Sequence, residues 1–168
     1  FFFNKNKHKY IMNKIPYSVR DKKITIRING SFILSSPVTD TTPDTLIGSG
    51  GTSGVFALRY ITENLLSYDG LGKIEIKYKG LYSVHFHFKY FSNDLSVTLV
   101  KNDSDYCFWR LVQSQSNEAS RLLEAQTDVL CEIGDTLYFK CTGVSQGSTD
   151  FLIEGNPNTP YYSWGNIT

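Results

Sequence analysis

Residues 80–90 read Gly80-Leu81-Tyr82-Ser83-Val84-His85-Phe86-His87-Phe88-Lys89-Tyr90. Tyr82, Val84, Phe86, Phe88 and Tyr90 alternate without a break with Ser83, His85, His87 and Lys89. A period of two places successive side chains on opposite faces of a strand, so this segment predicts a strand with an aromatic face on a core and a polar face turned away.

The same period extends to both sides. Ile74, Ile76 and Tyr78 alternate with Glu75 and Lys77, and Leu95, Val97 and Leu99 repeat the pattern before a turn at Lys101-Asn102-Asp103. Tyr106 to Val112 and Val55 to Ile61 are further strand candidates. Residues 118–127 carry helix-favouring types, but Leu123, Ala125, Thr127, Val129, Cys131 and Ile133 share one parity. Alternation is the stronger signal, and it predicts a strand. Leu137, Phe139 and Cys141 read as its hairpin partner. A three-residue loop at Gly134-Asp135-Thr136 would set Ile133 opposite Leu137, Cys131 opposite Phe139 and Val129 opposite Cys141. That register leaves Cys131 and Cys141 diagonal, which disfavours a disulfide. Phe151 to Ile153 reads as the last strand.

Toward the N-terminus, Ile24, Ile26 and Ile28 alternate with Thr25 and Arg27, followed by a turn at Asn29-Gly30 and by Phe32-Ile33-Leu34. Residues 35–54, rich in Ser, Thr, Pro and Gly, read as a long surface loop, or a loop around one short edge strand. Residues 1–20, which include FFFNKNKHKYIMNK, read as a tail, either flexible or an assembly arm; Met12 is a candidate natural start. The expected organisation is that tail, a single domain over 21–156 and a C-terminal extension over 157–168.

Composition narrows the class. The 168 residues hold 17 Lys+Arg against 16 Asp+Glu, a net charge of +1. That balance disfavours a nucleic-acid binder, which needs excess positive charge to displace counterions. No apolar run is long enough to insert in a membrane. With 11 Phe and 11 Tyr, aromatic residues that suit pleated surfaces are abundant. The three cysteines lack metal-ligand spacing and read as small buried hydrophobes.

The order of several short motifs goes further. Asn64, Tyr68, Gly72 with Ile74, and Gly80-Leu81-Tyr82 followed by Val84 and Phe86 resemble the globular head of complement component one, subunit q, in the tumour-necrosis-factor-like superfamily. Leu95 to Asn102, Ala119-Ser120, Val129 to Leu137 and Ser148 to Ile153 resemble further pieces of that family in the same order. The resemblance covers roughly residues 55–154. It implies an all-β, ten-stranded antiparallel jelly-roll sandwich that assembles as a homotrimer, with its inner sheets around the threefold axis. The strand at 82–90 would then lie in the inner sheet, and Ser83, His85 and His87 would approach neighbouring subunits. Phe151, Ile153, Tyr161, Tyr162 and Trp164 are placed at the same seam.

Candidate chemistry is sparse. His85 and His87, two apart on one strand face, are spaced for a metal; the alternative is a pair of hydrogen-bonded imidazoles at a subunit contact, and no metal or other cofactor is expected. Asp103 and Asp105 read as a calcium loop or as a solvated acidic turn. Asn29, Asn102 and Asn166 begin glycosylation sequons, relevant only to a secreted chain. Trp109 reads as core. There is no His-Glu-x-x-His or phosphate loop, and the only two histidines outside the tail share one strand, so an enzyme is the least favoured class.

The favoured reading is a non-catalytic homotrimeric recognition or structural head, associated with a virion or fibre surface. Its partners would be a protein or glycan receptor, or a capsid or fibre component. The Lys/Asn/Ile-rich usage, with no secretory or collagen-like leader in the sequence, favours a virion over an extracellular secreted factor. A secreted complement-like or cytokine-like ligand and a carbohydrate-binding jelly-roll lectin are the alternatives.

Overall fold

The computed structural model describes residues 30–62, 64–91, 94–112, 121–143, 152–156, 158 and 163–168. Among these, every regular element is a strand: β1 (Gly30–Val38), β2 (Thr45–Leu46), β3 (Ser53–Ile61), β4 (Leu66–Tyr68), β5 (Ile74–Ile76), β6 (Gly80–Tyr90), β7 (Asp94–Lys101), β8 (Ser104–Val112), β9 (Arg121–Cys131), β10 (Thr136–Gly143) and β11 (Ser163–Ile167). No helix long and apolar enough to cross a membrane occurs among the described residues.

The strands form two antiparallel sheets. One runs β3-β1-β11-β6-β9 and the other β4-β5-β10-β7-β8, with the two-residue β2 added to β10. The all-β jelly-roll sandwich of the sequence reading is the observed fold, with eleven strands, where ten were expected, among the described residues.

Period-two patterning produces the core. Tyr82, Val84, Phe86, Phe88 and Tyr90 of β6 are each at most 1% exposed. Val97 and Leu99 of β7 and Leu137, Phe139 and Cys141 of β10 close over them from the opposite sheet. Phe86 stacks on Phe88 at 4.9 Å and meets Trp109 and Phe139 edge-on at 4.8 and 5.2 Å. Trp109 is thus packed against the core, as read. Aromatic contacts of this kind add to what area burial alone contributes.

Four expectations are corrected or fall elsewhere. First, β9 and β10 are not a hairpin. β9 pairs with β6, and β10 with β7 and β5, so residues 132–135 carry the chain from one sheet to the other. Leu123, Val129, Cys131, Leu137, Phe139 and Cys141 do point inward, as their parity predicts. Their shared parity reflects two strands in opposite sheets that both turn these residues to the common core, because a period of two fixes a face and not a partner. Ile133, expected inside, is 71% exposed. The crossing is anchored to β5 by Gly134 N–H donating to Ile76 O at 2.7 Å and Ile76 N–H donating to Asp135 O at 2.8 Å. Cys107, Cys131 and Cys141 are free thiols.

Second, the last strand is β11, not Phe151–Ile153. Ile153 makes only isolated bridges to Val38 and Tyr90. Residues 163–167 are not an appendage past the fold: β11 lies between β1 and β6. Its inward residues are Ser163, Gly165 and Ile167, so two of three are small. The two small ones lie in register with large partners, Ser163 with Phe88 and Gly165 with Phe86, and residues this small carry little hydrophobic signal.

Third, residues 35–54 are not all loop. β1 continues to Val38, with register shifts against β3 between Ser31 and Phe32 and between Leu34 and Ser36. β2 is the short strand the alternative reading allowed. Fourth, the strand read at Ile24–Ile28 lies outside the described residues.

Candidate interaction face

The polar side of β6 and the matching side of β9 form one continuous outward surface. In register, Leu81 faces Leu130, Ser83 faces Asp128, His85 faces Gln126, His87 faces Glu124 and Lys89 faces Leu122. β11 runs beside β6, with Asn166 in register with His85 and Trp164 in register with His87.

The centre of this face is hydrogen-bonded. His85 Nε2 lies 2.9 Å from Glu124 Oε1, and His87 Nδ1 lies 3.5 Å from Glu124 Oε2. Gln126 Nε2 donates to Ser83 Oγ at 2.6 Å. The bond from His85, followed by that from His87, holds the Glu124 carboxyl below the usual carboxylate range. The imidazoles are largely covered while Glu124 is 57% accessible. Among the described residues no group of three or more His, Cys, Asp or Glu is arranged to hold a metal ion.

The ends of the face are apolar. Leu81 and Leu130, directly opposite, are 67% and 59% exposed, and Leu122 at the far end is 58% exposed. A cross-strand leucine pair left in water is the kind of surface that a partner covers.

The structure brings together Ser83, His85 and His87, and it adds Glu124 and Gln126, which the reading missed. The signal was present: both have the parity opposite to Leu123 and Val129. Ile153 is corrected. It is 0% exposed within the chain's own core, so its side chain has no surface to give a neighbour. Trp164 pairs in register with His87; Phe151, Tyr161 and Tyr162 lie outside the described residues.

The other candidates resolve locally. Asp103 accepts from Tyr138 Oη at 3.0 Å and pairs with Lys73 at 3.3 Å, while Asp105 pairs with Lys140 at 3.0 Å. These acids are tied to cations of the same sheet. Asn102 (φ 51°) holds the turn: its Nδ2 donates to Asp135 Oδ1 at 2.6 Å and its Oδ1 accepts from Thr136 N–H at 2.9 Å. Both ends of that amide are therefore engaged in structure. Burial pushes the Cys131 thiol up to about 11 and the Cys141 thiol up to about 12, so both stay protonated and unreactive near neutrality.

Two five-stranded antiparallel paths wound in this order define the tumour-necrosis-factor-like jelly roll, the fold shared with the complement subunit-q globular head. Among solved structures, murine APRIL is similar, with a TM-score of 0.59 at 7% identity over 83% of this chain and 96% of that one. The globular domain of zebrafish complement 1qA is similar as well, with a TM-score of 0.54 at 10% identity over 84% of this chain and 94% of that one. No family model and no curated protein matches the sequence. The likeness is one of fold, carried by topology and not by sequence identity.

Proposed function

We propose that this chain is the head of a non-catalytic homotrimer, a recognition or structural module at a virion or fibre surface. Its partner would be a protein or glycan receptor, or a capsid or fibre component. One observation carries the trimer: the outward face of the five-stranded sheet has a hydrogen-bonded polar centre, His85–Glu124–His87, between exposed Leu81–Leu130 and Leu122 ends. Polar groups already satisfied within the chain lose little on contact, and the leucines gain burial. Closed threefold packing covers such a face without open-ended growth, and obligate interfaces bury roughly 2,000 Å² or more. The virion setting draws support from the Lys/Asn/Ile-rich residue usage.

Sedimentation equilibrium tests the assembly. A species of three times the chain mass at micromolar concentration is expected, and a monomer there overturns the proposal. Capsid or tail genes beside the reading frame would support the virion setting; a leader and stem joined to this domain would favour the secreted reading.

A further inference from the structure

An open groove of about 430 Å³ lies on the outward side of the other sheet, facing away from the proposed threefold axis. We infer that it is a binding site for a neutral saccharide. This deepens the recognition-head reading by naming the chemistry of a partner.

One wall is aromatic and charged. Phe108 of β8 is 65% exposed. Beside it Arg110 forks onto Asp94 of β7, with Nε to Oδ1 at 3.0 Å and Nη2 to Oδ2 at 2.6 Å. Both side chains stay about half accessible, at 55% and 46%. Ser96 of β7 and Thr142 of β10 also line the groove, and Thr41 and Pro43 line its opposite side.

The groove is built in advance. Thr42 N–H donates to Asp40 Oδ1 at 2.8 Å, and Thr45 Oγ1 donates to Thr42 O at 2.7 Å. Asp44 N–H donates to Thr142 Oγ1 at 3.0 Å, and the Asp44 carboxylate pairs with Lys140 at 3.3 Å. The loop that makes the far wall is thus tied to β10, and the rest of the lining stands on strands. Binding then costs little ordering of the site.

The lining selects the ligand class. A lipid tail needs a continuous apolar lining, and here there is one exposed aromatic ring. An anion needs unbalanced positive charge, and Arg110 is neutralised by Asp94. A sugar hydroxyl both donates and accepts. The site offers acceptors in Asp94 and Ser96 and donors in Arg110 and in Thr142, whose oxygen takes the Asp44 N–H while its own hydrogen can still be given. The exposed face of Phe108 suits the C–H face of a pyranose ring. The lining is more polar than that of most small-ligand sites, as suits a ligand covered in hydroxyls, and the volume falls in their usual range. One sugar on so shallow a surface binds weakly. Three grooves on one trimer facing outward would raise the avidity toward a glycan-bearing surface.

The test is a titration of the full ¹⁵N-labelled chain with methyl glycosides of glucose, galactose, mannose, fucose and the N-acetylhexosamines to millimolar concentration. Saturable shifts at the amides of Ser96, Arg110 and Thr142 with at least one sugar are expected. Phe108→Ala, at an exposed site, keeps the spectrum of the fold and weakens that sugar by about tenfold or more. Absence of saturable shifts with every sugar, shifts confined to another face, or equal affinity of Phe108→Ala overturns the inference. The titration reads one groove in one chain, so its outcome is independent of whether sedimentation shows a trimer.

Discussion

Glu124 stands directly opposite His87 in the β6–β9 register, yet its shorter contact is diagonal, with Oε1 2.9 Å from His85 Nε2. One carboxylate thereby ties two successive imidazoles of β6 to the edge strand β9. Because these bonds favour the ionised form, the Glu124 carboxyl lies below its ordinary value. A depressed carboxyl stabilises the fold above its unfolded-state pKa, and that contribution is lost as pH falls through the folded-state value. Glu124→Gln is expected to be slightly less stable than the wild type at neutral pH. The difference should close in acid below the carboxylate range. Urea midpoints of both proteins at pH 7 and in acid check this; a constant difference across pH would contradict it.

Asp135 gives the stronger pH effect. Its side chain accepts from Lys101 Nζ at 2.9 Å, Asn102 Nδ2 at 2.6 Å and Glu132 N–H at 2.8 Å, and it is only 12% accessible. These bonds, led by Lys101, pull its carboxyl down to about 2. Stability from this group is complete above the usual carboxylate pKa of 3.8 and is lost as pH falls toward 2. Allowing for solvent screening, Asp135→Asn should cost about 1–2 kcal/mol at pH 7 and almost nothing near pH 2. Chemical denaturation across that interval measures it.

The strand faces were legible because a core requires them. Period-two runs in 74–76, 80–90 and 95–99 show which side chains of β5, β6 and β7 point inward, whereas Tyr78, of the same parity as Ile74 and Ile76, lies past the end of β5 and is 48% exposed. Strand partners were not legible, since β9 and β10 have the same parity whether they lie side by side in one sheet or in opposite sheets around one core. β11 was invisible for a different reason. Its inward Ser163 and Gly165 accompany the large rings of β6 and supply little apolar signal of their own. The candidate face was half visible. His85 and His87 stand out by type, whereas Glu124 and Gln126 lie in a segment whose local propensity favours helix. The groove could not be read at all, because Asp94, Phe108 and Thr142 come from three strands and meet only after folding.

Two glycines make opposite predictions. A Cβ at Gly155 would collide with the Ser36 carbonyl and lie 2.9 Å from Pro37 N, and this neighbour is backbone, which cannot swing aside as a side chain would. Gly155→Ala should cost about 1–3 kcal/mol as overpacking. A Cβ at Gly165 would lie 3.8 Å from His85 O and 3.9 Å from Phe139 Cε2, which is ordinary contact. With no left-handed backbone to maintain, Gly165→Ala should be neutral or stabilising by about 0.5 kcal/mol, through lower unfolded-chain entropy. Urea unfolding of the two variants orders them; a Gly165→Ala variant as damaged as Gly155→Ala would contradict this account of β11.

The trimer face is best tested with two leucines of equal exposure. Leu130 is 59% exposed on the outward side of β9, opposite Leu81, and Leu71 is 58% exposed in the turn between β4 and β5. Neither contributes to the core, so a glutamate at either position leaves the isolated chain's packing intact. His85 is a poorer probe: a carboxylate there would stand beside Glu124 within one chain and weaken the fold along with any assembly. At Leu130 the change removes apolar area from the proposed contact and adds three like charges around one axis. Leu130→Glu should raise the trimer dissociation constant at least tenfold, about 1.4 kcal/mol, whereas Leu71→Glu should leave it unchanged. Sedimentation at matched concentration compares them, and salt should partly restore the Leu130→Glu trimer by screening its repulsion. Equal assembly of the two variants would place the subunit contact somewhere other than the β6–β9 face.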